Sequence, residues 1–580
     1  MENKTLKRLI NYINKYKFRV FLIIFFALIS NIMIVISPWL VGRAIDKIAG
    51  KGIVKFNSLL QIIILLLGCY IISSVFQWLI SIVTNSVVYN TIRSIRSQVF
   101  NKISSLPLRY YDTNSHGDII SRFTNDMDTV SDGMAQIVTQ LFSGIVLMIG
   151  SVVFMLILSP ITTIVIIIMA PVCFFIASFI TKNSNKFFKQ QQNILGELNG
   201  YVEEMVGGVK VIKAFAHEKK SFEGFEKINK KLYGAGRKAQ FYSSLTNPST
   251  RFVNNVSYIA ICIFGGVMAV YGKLTVGKIS SFLTYSTQFS QPINNITSVI
   301  TQLQAAFAAA QRIFDVLDEL SEKPEVNNAQ NLENCQGNIS FQDVYFSYKK
   351  EKPLIQNFSA NINSGETIAI VGPTGAGKTT LVNLIMRFYE LNSGKITIDG
   401  KDITELKKDS LRNSFGMVLQ DTWLFEGTIK ENIAYGKRNA TMEEIKEAAK
   451  KSFAHNFIKR LPNGYDTMIT EGGENLSQGQ RQLLTIARVM LMNPPMLILD
   501  EATSSIDTLT EINIQKAFLA MMKGRTSFII AHRLSTIRDA DLILVLNEGK
   551  IVEQGNHTKL IENNGFYQKL YKSQFESSLI

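Results

Sequence analysis

The sequence predicts a two-part chain: an α-helical domain with six membrane spans, followed by an α/β domain built on a largely parallel sheet. Three observations carry this. Long stretches of the first part lack Asp, Glu, Lys and Arg altogether. From Asn338 onward, short β-rich runs alternate with helical ones. A glycine-rich phosphate-binding motif lies between one such run and a helix.

The charge-free stretches are Val20–Gly42, Phe56–Ile92, Met134–Thr181, Phe252–Gly272 and Ile279–Gln311. A bilayer core needs about 20 apolar residues in a helix. Val20–Gly42 and Phe252–Gly272 fit one span each. Met134–Thr181 fits two, broken at Ser159-Pro160. Phe56–Ile92 and Ile279–Gln311 each fit one span plus a helical extension into water. Helices of a soluble core would carry a charged face instead. Pro292 is expected to kink the sixth span. Leu6–Tyr16 alternates apolar with basic or amide residues, as an amphipathic helix on a membrane surface does.

With 580 residues, the chain is too long for a single core. Its net charge of +15 would suit nucleic acid, but much of the basic charge flanks the apolar spans, as the positive-inside rule expects. Nucleic acid is therefore discounted as a partner. Lys4, Lys7, Arg8, Lys15, Lys17 and Arg19 place the N-terminus in the cytoplasm, and the lipid bilayer is the expected surrounding. The segments after the second and fourth spans read as long cytoplasmic helical stalks. The four cysteines, Cys69, Cys173, Cys262 and Cys335, form no CxxC pair and read as reduced and structural. The first span is too long for a signal peptide and lacks a small-residue cleavage site.

The expected domains are residues 1–320 for the membrane part, a polar linker at 321–337, and 338–580 for the α/β part. Expected strands are Ile339–Tyr345, Thr367–Val371, Lys395–Ile398, Met496–Leu499, Ser527–Ile530 and Leu542–Leu546.

Gly372-Pro373-Thr374-Gly375-Ala376-Gly377-Lys378-Thr379 fully matches G-x-x-x-x-G-K-[ST]. It follows a strand and precedes a helix expected over Thr380–Phe388. The glycines let backbone N–H groups wrap phosphates, Lys378 can reach the β- and γ-phosphates, and Thr379 can ligate Mg²⁺. Farther on, the apolar run Met496–Leu499 ends in Asp500-Glu501. Asp500 can hold the Mg²⁺ shell, and Glu501 can orient or deprotonate the attacking water.

With Leu476-Ser477-Gln478-Gly479-Gln480, close to the LSGGQ signature, these motifs resemble the ATP-binding cassette (ABC) family. The resemblance covers nearly the whole chain, which looks like a bacterial multidrug-type half-transporter: a type IV exporter membrane domain fused to a P-loop nucleotide-binding domain. It implies ATP and Mg²⁺ as cofactors. By the same resemblance Tyr348 stacks on adenine, and Thr380 belongs to the phosphate site. Gln420 senses Mg²⁺ and faces the membrane domain, and His532 contacts the γ-phosphate. Thr470–Glu474 resembles the segment that precedes the signature in exporters. Ser504-Ser505-Ile506-Asp507 resembles the loop that crosses between paired cassettes. The implied partner is a second half-transporter, with ATP held between the phosphate loop of one chain and Ser477, Gly479 and Gln480 of the other. Stalk tips near Asp112–Gly117 and Ala214–Glu218 are expected to dock on the cassettes.

One departure is Gln478, where the family has Gly. The run around it resembles the catalytically competent chain of heterodimeric exporters, which favours a heterodimer over a homodimer. No charge lies deep in the spans, which favours a lipophilic or amphipathic cargo. A lipid flippase of the same fold is the close alternative; a membrane-anchored regulatory ATPase or an ATP-gated channel fits Glu501 and His532 less well. Asn254, Asn255, Tyr285, Gln288, Phe289, Gln291, Asn294, Asn295 and Gln302 are either interhelical hydrogen-bond glue or contacts to cargo.

Overall fold

The computed structural model describes residues 2–48, 54–349, 351–420, 422–500, 506–530 and 537–575. Two compact units divide the chain: Met1–Ser105 with Asn114–Glu319, and Leu106–Thr113 with Leu320–Ile580.

The first unit is helical: α1 (Glu2–Asn14), α2 (Lys17–Ile48), α3 (Phe56–Ser104), α5 (His116–Phe123), α6 (Asn125–Gln136), α7 (Ser143–Leu158), α8 (Pro160–Gly207), α9 (Val209–Ala214), α10 (Glu218–Ser244), α11 (Thr246–Val270) and α12 (Val276–Asp318). The short α4 (Leu108–Thr113) packs with the second unit. The charge-free stretches are helical apart from Ser159 and the Tyr271-Gly272 turn. Among the described residues, Lys17–Ile48, Phe56–Ser104 and His116–Leu158 are long and apolar enough to cross a membrane. Leu60, Ile64, Leu67 and Ile71 stand exposed along α3, which only an apolar solvent makes acceptable.

The break between α7 and α8 falls where the sequence placed it. Pro160 takes the first helical position, where a missing N–H costs nothing, and the Ser159 side chain accepts from the Thr162 N–H. One irregularity had no sequence signal: Ile137–Phe142 winds as a π-helix between α6 and α7. Pro292 lies within α12, which continues past it to Asp318.

α2 and α12 are zipped together. Tyr285 OH donates to the Val35 carbonyl at 2.6 Å, Ser281 Oγ donates to the Pro38 carbonyl at 2.8 Å, and the Gly277 N–H donates to Asp46 Oδ1 at 2.8 Å. The backbones cross closely because Gly42 faces Gly277: a Cβ on Gly42 would lie 2.5 Å from the Gly277 oxygen. Small residues permit such approaches in membranes. Farther along, Arg312 grips Asp126 through Nε at 2.9 Å and through a second guanidinium nitrogen, tying α12 to α6. α1 lies against the same helix, with Arg8 on Asp318 at 2.6 Å and its guanidinium over the Phe314 ring.

The second unit holds β1 (Ile339–Phe346), β2 (Ile355–Ile362), β3 (Thr367–Val371), β4 (Ser393–Ile398), β5 (Lys401–Asp402), β6 (Phe415–Val418), β7 (Gly427–Thr428), β8 (Met468–Ile469), β9 (Met496–Asp500), β10 (Thr526–Ile530), β11 (Leu542–Asn547) and β12 (Lys550–Gly555). The main sheet runs β12-β11-β3-β10-β9-β6, parallel except for β12. β1 and β4 belong to a separate antiparallel sheet, β2-β1-β4-β5. Alternate strand residues feed two cores. Ala369, Val371, Leu499 and Ile529 enter one; Ile368, Ile370, Ile498 and Phe528 enter the other. Burial on both faces accounts for the near-continuous apolar strands of the parallel sheet. The polar stretch after Leu320 is pinned to this unit. Glu322 pairs with Arg412 at 2.5 Å, and Asp399 accepts the N–H groups of Gln336 at 2.8 Å and Asn338 at 2.9 Å. Burial raises the Asp399 pKa, but these donors outweigh it and hold the carboxyl below its usual range.

Candidate functional site

β3 is hydrogen-bonded on both sides in the main sheet, between β10 and β11. Open parallel sheets bind ligands beyond the carboxyl ends of their strands. Gly372 to Gly377 forms the loop leaving β3, and the helix Lys378–Ile385 follows, two residues earlier than expected and ending three earlier. Gly377 is left-handed at φ +100°, and a Cβ there would lie 2.7 Å from Ile355 Cδ1. A Cβ on Gly372 would meet the Leu546 carbonyl oxygen at 2.3 Å. Neither position admits a side chain without displacement, and the loop runs directly into the N-terminus of the helix Lys378–Ile385. That arrangement favours an anion.

A cavity of about 430 Å³ opens here, lined by Thr374, Gly375, Gly377, Lys378, Thr379, Thr380, Gln420 and Asp500, together with Leu354 and Ile530. Gln420 arrives from the loop after β6, Asp500 from the end of β9 and Ile530 from the end of β10. Parallel pairing of β9 with β10 sets Asp500 opposite Ile530. Lys378 Nζ donates to the carbonyls of Gly372 at 2.7 Å and Pro373 at 3.1 Å. Burial pushes its pKa down, and the Asp500 charge opposes that shift. A hydroxyl, a carboxamide and a carboxylate on one cavity form an oxygen donor set suited to Mg²⁺. Leu354 and Ile530 carry no motif and were not legible in the sequence.

Tyr348 is 37% exposed. Its hydroxyl lies 3.3 Å from Thr380 Oγ1 and 3.4 Å from Asn383 Nδ2, which anchors the ring to the helix that follows the phosphate loop. Pro373 is exposed on the loop, and Ala376 is buried beneath it.

Ser477, Gly479, Gln480 and Asp507 do not line this cavity. They build a second feature at the head of the helix Gln478–Met492. Ser477 Oγ accepts from the Gln480 N–H at 3.3 Å, and Gln480 Oε1 accepts from the Ser477 N–H at 3.0 Å, a reciprocal capping box. Gly479 packs against the next helix, Thr508–Met522: a Cβ would lie 2.4 Å from Thr510 Cγ2. Asp507 caps that helix, accepting the Thr510 N–H at 2.9 Å, which holds its carboxyl below the usual range. Gln478 is the first residue of its helix and half-buried. Glu501, His532, Ser504 and Ser505 lie outside the described residues.

Two family descriptions match the chain: the ABC transporter transmembrane region over residues 20–293 and the ABC transporter family over residues 355–504. An uncharacterized ABC transporter ATP-binding protein of Bacillus subtilis is 43% identical over 573 residues, covering 99% of this chain and 94% of the relative. A fatty acid ABC transporter ATP-binding/permease protein of Mycobacterium tuberculosis is 42% identical, covering 91% and 83%. An ATP-dependent lipid A-core flippase of Desulfotalea psychrophila is 37% identical, covering 99% and 100%. The solved structure of a bacterial Atm1-family ABC exporter with ATP bound superposes with a TM-score of 0.78 at 28% identity, covering 96% of this chain and 99% of that one. Both family descriptions and relatives matched along nearly the whole of this chain agree, and the chain belongs to the ABC transporters as a membrane-spanning, ATP-hydrolysing exporter subunit of the type IV fold.

Proposed function

We propose that this chain exports lipophilic or amphipathic compounds, a multidrug-type cargo, across a bacterial cytoplasmic membrane by ATP-driven alternating access. The observation that carries the reading is the convergence of Lys378, Thr379, Gln420 and Asp500 on one cavity, in the same chain as spans free of charge. Lys378 and the loop N–H groups hold the β- and γ-phosphates. Tyr348 stacks on the base. Thr379, Asp500 and Gln420 would hold Mg²⁺, which neutralises phosphate charge when bound. Glu501 takes the proton of the attacking water, and His532 donates to the γ-phosphate.

In this reading two chains pair, and the Ser477–Gln480 helix head of one completes the phosphate site of the other. Closure of the cassettes turns the membrane cavity outward, and hydrolysis resets it. The stalk tips carry the motion; Phe215, beside the tip α9, is 71% exposed and suits docking on the partner's cassette. The basic residues before α2 support a cytoplasmic N-terminus. Gln478 favours a related second chain over a second copy. Within the membrane, Tyr285 is fully buried and bonded to α2, which supports a glue role for it. Gln291 and Gln302 are exposed and are the better candidates for cargo contact.

A second reading, export of a lipid or fatty acid, is favoured by two relatives whose names state those cargoes. Hydrolysis by the purified chain in lipid nanodiscs, with and without a fluorescent fatty acid or a lipophilic cationic dye, separates the two. Glu501→Gln tests the engine: it should keep ATP binding and lose at least about a hundredfold in turnover. Wild-type turnover in that variant would remove Glu501 from the catalytic role.

A further inference from the structure

We propose that a basic cavity towards the C-terminal end of α3 seats the phosphodiester headgroup of an anionic glycerophospholipid, whose acyl chain runs along one exposed face of that helix. The site lies within the membrane unit, and the proposal does not depend on which cargo the chain exports.

The cavity, of about 380 Å³, is walled by Tyr89, Arg93, Arg96 and Phe100 of α3, with Phe123 of α5 and Asp128 of α6 opposite. Arg93 is exposed. Arg96 Nε is buried and finds no acceptor among the described residues. The same guanidinium stands 3.7 Å from Asp128, beyond hydrogen-bonding distance. A buried N–H without an acceptor is unfavourable, and a phosphate oxygen entering the cavity would supply one. The planar arginine fork matches phosphate oxygens. Two arginines against one aspartate leave a surplus of a single positive charge. That balance fits a phosphodiester, which carries one negative charge, better than a phosphomonoester or a polyphosphate.

Two further observations point to a lipid rather than a soluble anion. First, Ile71, Val75, Trp78, Ile82 and Tyr89 all stand exposed on α3. Their helical spacing keeps them on one face, and Arg93 and Arg96 continue that face. At about 1.5 Å per residue, Ile82 lies roughly 16 Å from Arg93, within reach of an acyl chain whose headgroup sits on the arginines. Second, the cavity lies at headgroup level. Arg19, the last charge before the Val20–Gly42 stretch, donates to Ser86 Oγ at 2.9 Å, one turn before Tyr89. Tyr12 of α1 donates to Gln98 Oε1 at 2.7 Å, and α1 leaves Leu6 and Ile10 exposed, as a helix lying in a membrane surface does. Tyr89 to Phe100 thus spans the layer between the apolar span and the amphipathic helix. Aromatic rings favour that layer, and basic pockets beside membrane helices there take anionic headgroups.

Trp78 lies on this face and reports its occupancy. Trp39→Phe with Trp423→Phe leaves Trp78 as the only tryptophan of the full chain. In nanodiscs without ATP, its quenching by acyl-brominated phosphatidylglycerol is compared with quenching by acyl-brominated phosphatidylcholine. Phosphatidylglycerol should be preferred at least about tenfold, and Arg93→Gln and Arg96→Gln should each lower that preference about fivefold. Asp128→Asn removes the opposing charge and should raise it, a gain that misfolding does not mimic. Lys7→Gln, at an exposed basic residue of α1, should change it less than about twofold. An equal loss in Lys7→Gln would reduce the preference to general surface charge and overturn the site. An unchanged preference in Arg93→Gln/Arg96→Gln would also overturn it, as would no quenching by either lipid, which would mean that another protein surface covers the face. Glycerophosphoglycerol, the same headgroup without chains, should not relieve the quenching in millimolar excess. Relief would assign the cavity to soluble phosphodiesters and overturn the lipid assignment.

Discussion

Lys378 concentrates the chemistry of the phosphate loop in one ammonium group. Its bonds to the Gly372 and Pro373 carbonyls keep it at the cavity mouth, where a phosphate can replace them. Lys378→Ala should cost about 1.5–3 kcal/mol of binding, the usual range for a hydrogen bond to a charged group, and so weaken ATP by about tenfold to a hundredfold in a binding titration. The pH dependence has a definite sign. ATP requires the charged form, and burial lowers the Lys378 pKa from that of a free lysine. Affinity should therefore fall as pH rises through the alkaline range, earlier than an exposed lysine would lose its proton. A titration of Glu501→Gln across that range checks it, and a flat profile would contradict it. Gly377→Ala should cost at least about 1–2 kcal/mol for the left-handed backbone alone, read as thermal unfolding of the purified chain. These residues were legible in the sequence because backbone geometry dictates the motif. Leu354 was not, because its place on the cavity depends on which side chains the fold brings beside it.

At the scale of elements, the membrane helices were legible wherever charge was excluded over a full span. The break at Ser159-Pro160 was legible because proline fixes a helix start. The π-turn over Ile137–Phe142 and the assignment of β1 and β4 to a second sheet were not. Periodicity reports that a strand is half-buried, not which neighbour it pairs with. The zipper between α2 and α12 was equally hidden, since Gly42 and Gly277 are far apart in sequence and look unremarkable there. Gly42→Leu should force these helices apart, because even a Cβ would meet Ser281 Oγ at 2.1 Å. The expected loss is about 1–3 kcal/mol of stability, visible as a lowered unfolding temperature in detergent, while a Gly68→Leu control, where a Cβ meets nothing within 4 Å, should stay near wild type. Arg312→Ala leaves the Asp126 carboxylate, 6% exposed, without its guanidinium and should cost about 1–3 kcal/mol by the same measurement.

At the scale of the whole molecule, one cassette presents a phosphate-loop cavity and, apart from it, a capped helix head that among the described residues does not line that cavity. Under the proposed function, each is half of an arrangement that a second chain would complete. Composition and motifs made the membrane and ATP parts legible. Cargo and partner were not, because they depend on a surface shared between two chains. Gln478 bears directly on the partner: if a homodimer suffices, the purified chain alone should hydrolyse ATP; if a second chain must supply an intact signature, it should be folded but silent until that chain is added. Export is tested by transport itself, with the chain and any required partner reconstituted in proteoliposomes and loaded with a fluorescent amphiphile. The dye should cross the bilayer in an ATP-dependent way that Glu501→Gln abolishes. Equal movement by wild type and Glu501→Gln, or none by a wild type that hydrolyses ATP and responds to amphiphile, would contradict export.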